Sequence, residues 1–251
     1  MALGLALFLL GCSSSKAVVG TPSTARPSAS PSASPGGGLD SGWILHADVS
    51  AGFAVAFPDA WVVAMTDSPT QAADIAQITT TQQDLGAYFV TAFASSKTTG
   101  LALLAADPRT VPSGFTSNAS VFRSDLGPSG KAPDLDAITL GKLAALNKDS
   151  TISGTVDRRH VQLHGNQASR IAYVFKSGGK SVEVVSYLMV KDIGKNRIEY
   201  ELTIGSAIPD YGPLFDKVAA SFVLGVVHVP LAAPTPGASL NPSGPGPVTS
   251  P

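Results

Sequence analysis

Two histidines, His160 and His164, sit four residues apart in the 251-residue chain. On a helix that spacing would turn both imidazoles toward one metal ion. The residues around them read as a strand instead, where the two side chains share a face but stand about 13 Å apart at roughly 3.3 Å per residue. One metal cannot span that gap, and zinc would need a further His, Asp or Glu from elsewhere. No metal and no other cofactor is expected. Arg158 and Gln162 share the face of the two histidines, while Val161 and Leu163 take the opposite one. Asp157, Arg158 and Arg159 add a charge cluster. Arg158, Arg159, His160, Gln162 and His164 together form a candidate interaction patch.

Other chemical patterns fall short of a site. Gly127-Pro-Ser-Gly130-Lys131 has the ending of a phosphate-binding loop, but that motif needs Gly at 125 and Ser or Thr at 132, where this chain has Asp125 and Ala132. A Gly/Pro surface turn accounts for it. No G-x-S-x-G nucleophile elbow occurs, and no Ser, His and Asp are spaced to suggest a triad. Asp134 and Asp136 fall at the start of an expected helix, where carboxylates favour the macrodipole. No catalytic residue is assigned.

The single cysteine has a reading that requires no catalysis. Residues 1–10 are an apolar run, too short to cross a bilayer core of about 30 Å as a helix and of the length of a signal-peptide core. Leu9-Leu10-Gly11-Cys12 resembles the lipobox of bacterial lipoproteins. That resemblance implies cleavage before Cys12 and lipidation of its thiol and amine. The expectation is a lipoprotein signal peptide over 1–11, then an extracytoplasmic chain anchored to a bacterial membrane by lipidated Cys12. Two or three acyl chains would make such anchoring stable. The run before the core carries no Lys or Arg, a departure from the usual signal-peptide pattern.

Composition bounds the rest. Lys and Arg number 17 and Asp and Glu 18, a net charge of −1. No basic excess exists for binding nucleic acid by bulk charge, and no polybasic patch for a membrane surface. One cysteine excludes an intramolecular disulfide and a Cys-rich zinc site. Residues 12–42, after the lipidated Cys, are rich in Ser, Pro, Thr, Ala and Gly, which cannot offset chain entropy and predict a disordered tether. Residues 229–251 read as a second such segment, with no apolar run. Between them, residues 43–228 form one expected domain.

Within that domain, residues 44–49 and 52–57 read as strands, with Phe53, Val55 and Phe57 on one face. Thr81-Gln-Gln-Asp84 has the form of a capping box. Leu85, Tyr88, Phe89, Ala92 and Phe93 then share one helical face. Residues 101–106 and 120–124 read as strands. Asp134 is placed to cap a helix to residue 146, with Leu140, Leu143 and Leu146 three apart and Asn147 at its end. Residues 155–163, 167–175, 180–191 and 197–204 read as four strands joined by Gly-containing hairpin turns. On the last, Arg197, Glu199, Glu201 and Thr203 point one way and Ile198, Tyr200, Leu202 and Ile204 the other. Pro209 is expected to open a final helix, with Tyr211, Leu214, Phe215, Val218 and Phe222 along one side. The expected class is α+β, a layered domain around a mainly antiparallel sheet.

Two local patterns carry a family resemblance. One is Phe57-Pro58-Asp59-Ala60-Trp61, following the strand from Gly52. The other is Tyr211, Phe215 and Ser221-Phe222 in the closing helix. Over residues 43–224 the chain resembles the PsbP-like (Mog-type) superfamily, which includes LpqN-like bacterial lipoproteins. The resemblance implies an α-β-α sandwich used for non-catalytic protein contacts, with relatives that bind a photosystem or a small GTPase. It carries over no catalytic residue, and it implies core or corner roles for Phe57, Trp61, Phe215 and Phe222. The function expected is therefore a membrane-anchored, non-enzymatic interaction module of the cell envelope with an unknown envelope protein as partner. A lipid- or solute-binding lipoprotein and an envelope hydrolase are the alternatives.

Overall fold

Residues 152–206 make four long strands because each run is β-rich and each break supplies residues that tolerate positive φ. The strands are β6 (Ile152–Leu163), β7 (Asn166–Ser177), β8 (Lys180–Ile193) and β9 (Asn196–Ser206). His164 and Gly165 (φ 48° and 77°) close the first hairpin, and Gly178 and Gly179 (φ 55° and 79°) the second, the conformation that two-residue hairpins with right-handed twist require. The computed structural model describes residues 41–225 apart from 67, 95 and 210. Cys12, the signal peptide over 1–11, nearly all of the 12–42 tether and the 229–251 tail lie outside the described residues.

Two sheets result. The larger has seven strands in the order β3-β4-β5-β9-β8-β7-β6, adding β3 (Val62–Met65), β4 (Leu101–Ala106) and β5 (Asn118–Pro128). All its pairings are antiparallel. The smaller has three strands, β1 (Trp43–Asp48), β2 (Phe53–Pro58) and β10 (Val223–Leu224), with β2 in the middle. One face of the large sheet is covered by the small sheet and α5 (Gly212–Ser221), around Phe53, Phe57, Tyr200, Leu202, Phe215 and Phe222. The other is covered by helices. Of these α1 (Gln71–Thr81) and α2 (Gln83–Ala94) lie over β3 and β4, and α4 (Leu135–Leu146) over β6 to β8. Short α3 (Ser96–Thr99) leads into β4. The fold is α+β, an α-β-α sandwich around an antiparallel sheet. Residues 182–190 of β8 are almost continuously buried, as a strand covered on both faces must be.

Four expectations are corrected. Thr81 does not cap α2: it ends α1, a helix the periodicity does not reveal, and its hydroxyl bonds back to Gln77 O at 3.0 Å. Thr79 and Thr80 do the same to Ile75 O and Ala76 O, a local bonding pattern that hides a helix from propensity alone. Gly86 lets α2 lie against it, since a Cβ there would stand 2.2 Å from Thr79 Oγ1. Pro209 does not open α5; the helix starts at Gly212 with Pro213 in its first turn. Leu140 is not on the buried side of α4 but 52% exposed, because Leu135, Thr139, Leu143 and Leu146 set the inward face. The 120–124 strand extends to Asn118–Pro128, with a register shift between Asp125 and Pro128. Asp134 caps α4 as expected, its Oδ1 accepting from Ala137 N at 2.8 Å.

Candidate functional site

Antiparallel register decides which residues of β6 meet. Arg158 pairs with Ile171, His160 with Ser169 and Gln162 with Gln167, on the α4 side of the sheet. Arg159 pairs with Arg170 on the opposite side, and Asp157 lies 2.9 Å from Arg159 and 3.7 Å from Arg170. His164 has left the strand: it sits in the turn, with Nε2 2.5 Å from Ala220 O at the end of α5. The structure therefore brings Arg158 and His160 together, 3.2 Å apart, and places Arg159 and His164 elsewhere. Arg158 also pairs with Asp136 in the first turn of α4, and His160 Nε2 lies 3.8 Å from the same carboxylate. This trio joins β6 to α4 at the protein surface. Among the described residues no group of three or more His, Cys, Asp or Glu is placed to hold a metal ion.

A second polar group lies deeper, where the alternation of β9 aims Glu199, Glu201 and Thr203 beneath the helices. Lys142 of α4 donates to Glu201. Thr203 Oγ1 donates to Glu201 Oε1 at 2.6 Å, and the Ser186 and Thr203 hydroxyls are 2.8 Å apart. Burial raises the pKa of Glu201, but Lys142 and the Thr203 and Ser186 hydroxyls outweigh it and hold the carboxyl below its usual range. Glu199 is only 7% exposed, beside Val190 and Ser124 on the neighbouring strands. Burial, and then the charge of Glu201, push its pKa up to about 7 against the pull of Lys142. The two carboxyls are thus driven in opposite directions, Glu199 up and Glu201 down. Its hydroxyls cannot meet a substrate, because Ser186 and Thr203 are buried. Sequence reading placed the β9 carboxylates on one face but not under a helix. The available signal was Lys142, the one basic residue of a helix whose only other charge, Asp136, lies in its first turn.

The motif residues of the two ends prove to be structural. Phe57 and Trp61 stack at 5.6 Å and 11°, and Phe222 lies 5.9 Å from Phe53. Ser221 Oγ accepts from Ala56 N at 2.8 Å, and it donates to Val218 O at 2.7 Å. Its hydroxyl takes the place of a strand neighbour just before β10 begins, so the edge of β2 keeps a partner there. Tyr211 donates to Asp107 Oδ2 at 2.8 Å. Fully buried Asp107 also accepts from Arg109 N at 3.0 Å and Arg109 Nε at 2.8 Å. Burial alone would raise its pKa, but these bonds hold it below the usual carboxylate range.

No protein-family model matches the chain, and no curated protein matches it. Among solved structures it is similar to cyanobacterial PsbP (CyanoP) from Synechocystis sp. PCC 6803, at 15% identity and a TM-score of 0.45, covering 76% of this chain and 98% of that one. It is also similar to LpqN, a protein involved in cell envelope biogenesis of Mycobacterium tuberculosis, at 12% identity and a TM-score of 0.44, covering 74% and 86%. A Pseudomonas aeruginosa protein of unknown function, PA94, is similar over 42% of this chain and 72% of its own, at 18% identity and a TM-score of 0.31.

Proposed function

We propose that this chain is a non-catalytic protein-binding domain of a bacterial cell envelope, tethered to the membrane through lipid on Cys12. The observation that carries the non-catalytic part is the sealing of its most reactive-looking groups. The run from Ser186 through Thr203 and Glu201 to Lys142 is a hydroxyl–carboxylate–ammonium chain, and its hydroxyls are buried. Groups that stabilise a transition state must touch the substrate; these touch one another. The surface offers Arg158, His160 and Asp136 together where β6 meets α4, a polar patch suited to recognising a protein. Support for the tether is the Leu9-Leu10-Gly11-Cys12 motif. Among the described residues no helix is long and apolar enough to cross a membrane.

The test is crosslinking of the intact chain in its own cells. One recurrent envelope protein is expected, lost from Arg158→Glu together with His160→Glu. Cys12→Ala is expected to move the chain from the membrane to the soluble fraction. A membrane-bound Cys12→Ala variant would refute the tether. Turnover in a broad esterase, peptidase and phosphatase screen would refute the non-catalytic reading.

A further inference from the structure

Between its helices the large sheet is open. Helices α1 and α2 lie over β3 and β4, and α4 over β6 to β8, which leaves β5 and β9 between them. On the side under the small sheet β5 is sealed, with Ala119 and Val121 fully buried. On the helix side its Ser120, Phe122 and Ser124 are only half-buried. They stand directly opposite Thr203, Glu201 and Glu199 of β9. The two strands therefore floor a groove with α2 on one side and α4 on the other.

Along this side of β9 one group is left over. Arg197 binds Asp192 and the carbonyls of Ala132 and Pro133. Glu201 holds Lys142, and Thr203 meets Ser186. Glu199 has neither a hydrogen bond nor an ion pair among the described residues, although it is only 7% exposed. Buried polar groups are ordinarily bonded, and a buried charge without a partner is costly. Among the described residues the wholly buried side-chain atoms that lack a bond are Trp61 Nε1, Arg123 Nε, Arg158 Nε, His164 Nδ1 and Ser169 Oγ. The Glu199 oxygens are not of that kind, so they reach the groove.

Charge then points to the occupant. The charged side chains around Glu199 are Arg197 and Glu201 on its own strand and Lys142 on α4, and the neighbouring strands face it with Ser124 and Val190. Arg197 and Lys142 are taken by Asp192 and Glu201, so the surplus is the one carboxylate. The site calls for a single cation. A metal ion would want more ligands than are grouped here. An ammonium wants only acceptors, which Glu199 and the Ser124 hydroxyl provide. A narrow opening suits its compact head and slender stem better than a planar guanidinium, and half-buried Phe122 offers the stem an apolar bed.

We propose that this groove receives a lysine side chain of a partner protein, its ammonium seated between the Glu199 carboxylate and the Ser124 hydroxyl. The inference rests on the protein-binding reading above and gives that partner a chemistry, one lysine projecting from its surface. Arg158 and His160 lie on the same side of the sheet.

The test is a titration followed by backbone amide NMR, on the full chain with Cys12→Ala so that no lipid is carried. The probe is lysine capped as its Nα-acetyl N-methylamide. Saturable shifts are expected at Ser124, Val190 and Glu199, and none from the same probe acetylated on Nε. Glu199→Gln keeps the shape of the side chain and should melt no lower, yet is expected to weaken binding at least about tenfold. Burial and the charge of Glu201 raise the pKa of Glu199 to about 7. Binding to the ionised form should therefore be roughly tenfold tighter at pH 8 than at pH 6, a dependence that Glu199→Gln removes. No saturable shift, shifts confined to other residues, or equal binding of the acetylated probe or by Glu199→Gln would overturn the proposal. Tighter binding of n-butylammonium than of the capped lysine would also overturn it, making the groove a site for a free amine. The titration needs no envelope partner, so its failure and a failure of the crosslinking experiment are told apart.

Discussion

The two faces of the seven-stranded sheet are built on different terms. Under the small sheet and α5, β8 and β9 present Val185, Tyr187, Met189, Ile198, Tyr200, Leu202 and Ile204, all buried. Where that face carries polar atoms, they bond outward at its margin: Tyr200 donates to Ala51 O at 2.7 Å and Tyr187 to Asp216 at 3.3 Å. Under the helices the same two strands present Ser186, Glu199, Glu201 and Thr203. The first face gains free energy from every residue it removes from water. The second spends part of that gain on holding charge, since a buried ion pair contributes little net stability against an apolar replacement yet is costly to break. The comparison teaches that the motif-bearing side fixes the fold, and that the helix-covered side carries the proton-responsive and exposed chemistry.

The sharpest way to test that division is to damage the apolar face. Phe222→Ala removes a fully buried ring packed on Phe53 and should cost about 3–5 kcal/mol. Chemical denaturation would read it, and the loss should not vary with pH between 4 and 8. A pH-dependent loss would mean the two faces are coupled.

On the polar face the expected loss is smaller and depends on charge. Lys142→Met leaves Glu201 with only hydroxyl donors beside Glu199, and should cost about 3 kcal/mol at pH 7. Lys142→Met with Glu201→Leu should recover most of this, because an apolar pair of similar volume replaces both charges. Failure of the double variant to recover would show that the cluster does more than balance its own charge.

The smallest effect is the titration itself. Glu199 has its folded pKa raised from 4.5 to about 7, so the native state holds the proton more tightly than the unfolded chain. Stability should then fall as pH rises from about 4.5 to 7, by about 2–3 kcal/mol for this group, and level off above. Glu201 acts in the opposite sense: its lowered pKa adds stability that is lost only below its ordinary range. Glu199→Gln should flatten the fall between pH 4.5 and 7, as denaturation across that range would show. An unchanged slope would assign the titration to another group.

Much of the fold was legible, for reasons that are local. The four long strands follow from β-rich runs broken by Gly165, Gly178-Gly179 and Gly194. Leu85, Phe89 and Ala92 are buried as their spacing requires. Asp134 caps α4 because a side-chain oxygen at that position satisfies an orphan backbone N–H. Less of the site was legible. Arg158, Arg159, His160, Gln162 and His164 are adjacent in sequence, but strand alternation and a turn at His164 split them among three directions. Helix α1 was hidden because only Ile78 of its residues is buried, which leaves no periodic stripe to read.

The sequence by itself determined where strands start and stop, which face of each is apolar, and which caps and turns close them, because those choices depend on neighbours within a few residues. Only the tertiary structure decided that β1 and β2 leave the main sheet, that Ser221 closes the edge of β2, that Lys142 meets Glu201 across 59 positions of chain, and that Glu199 is taken from water. Each of these depends on what is laid over a strand rather than on the strand. A carboxylate on an alternating face looks solvated until a distant helix covers it, and from that cover comes the raised pKa.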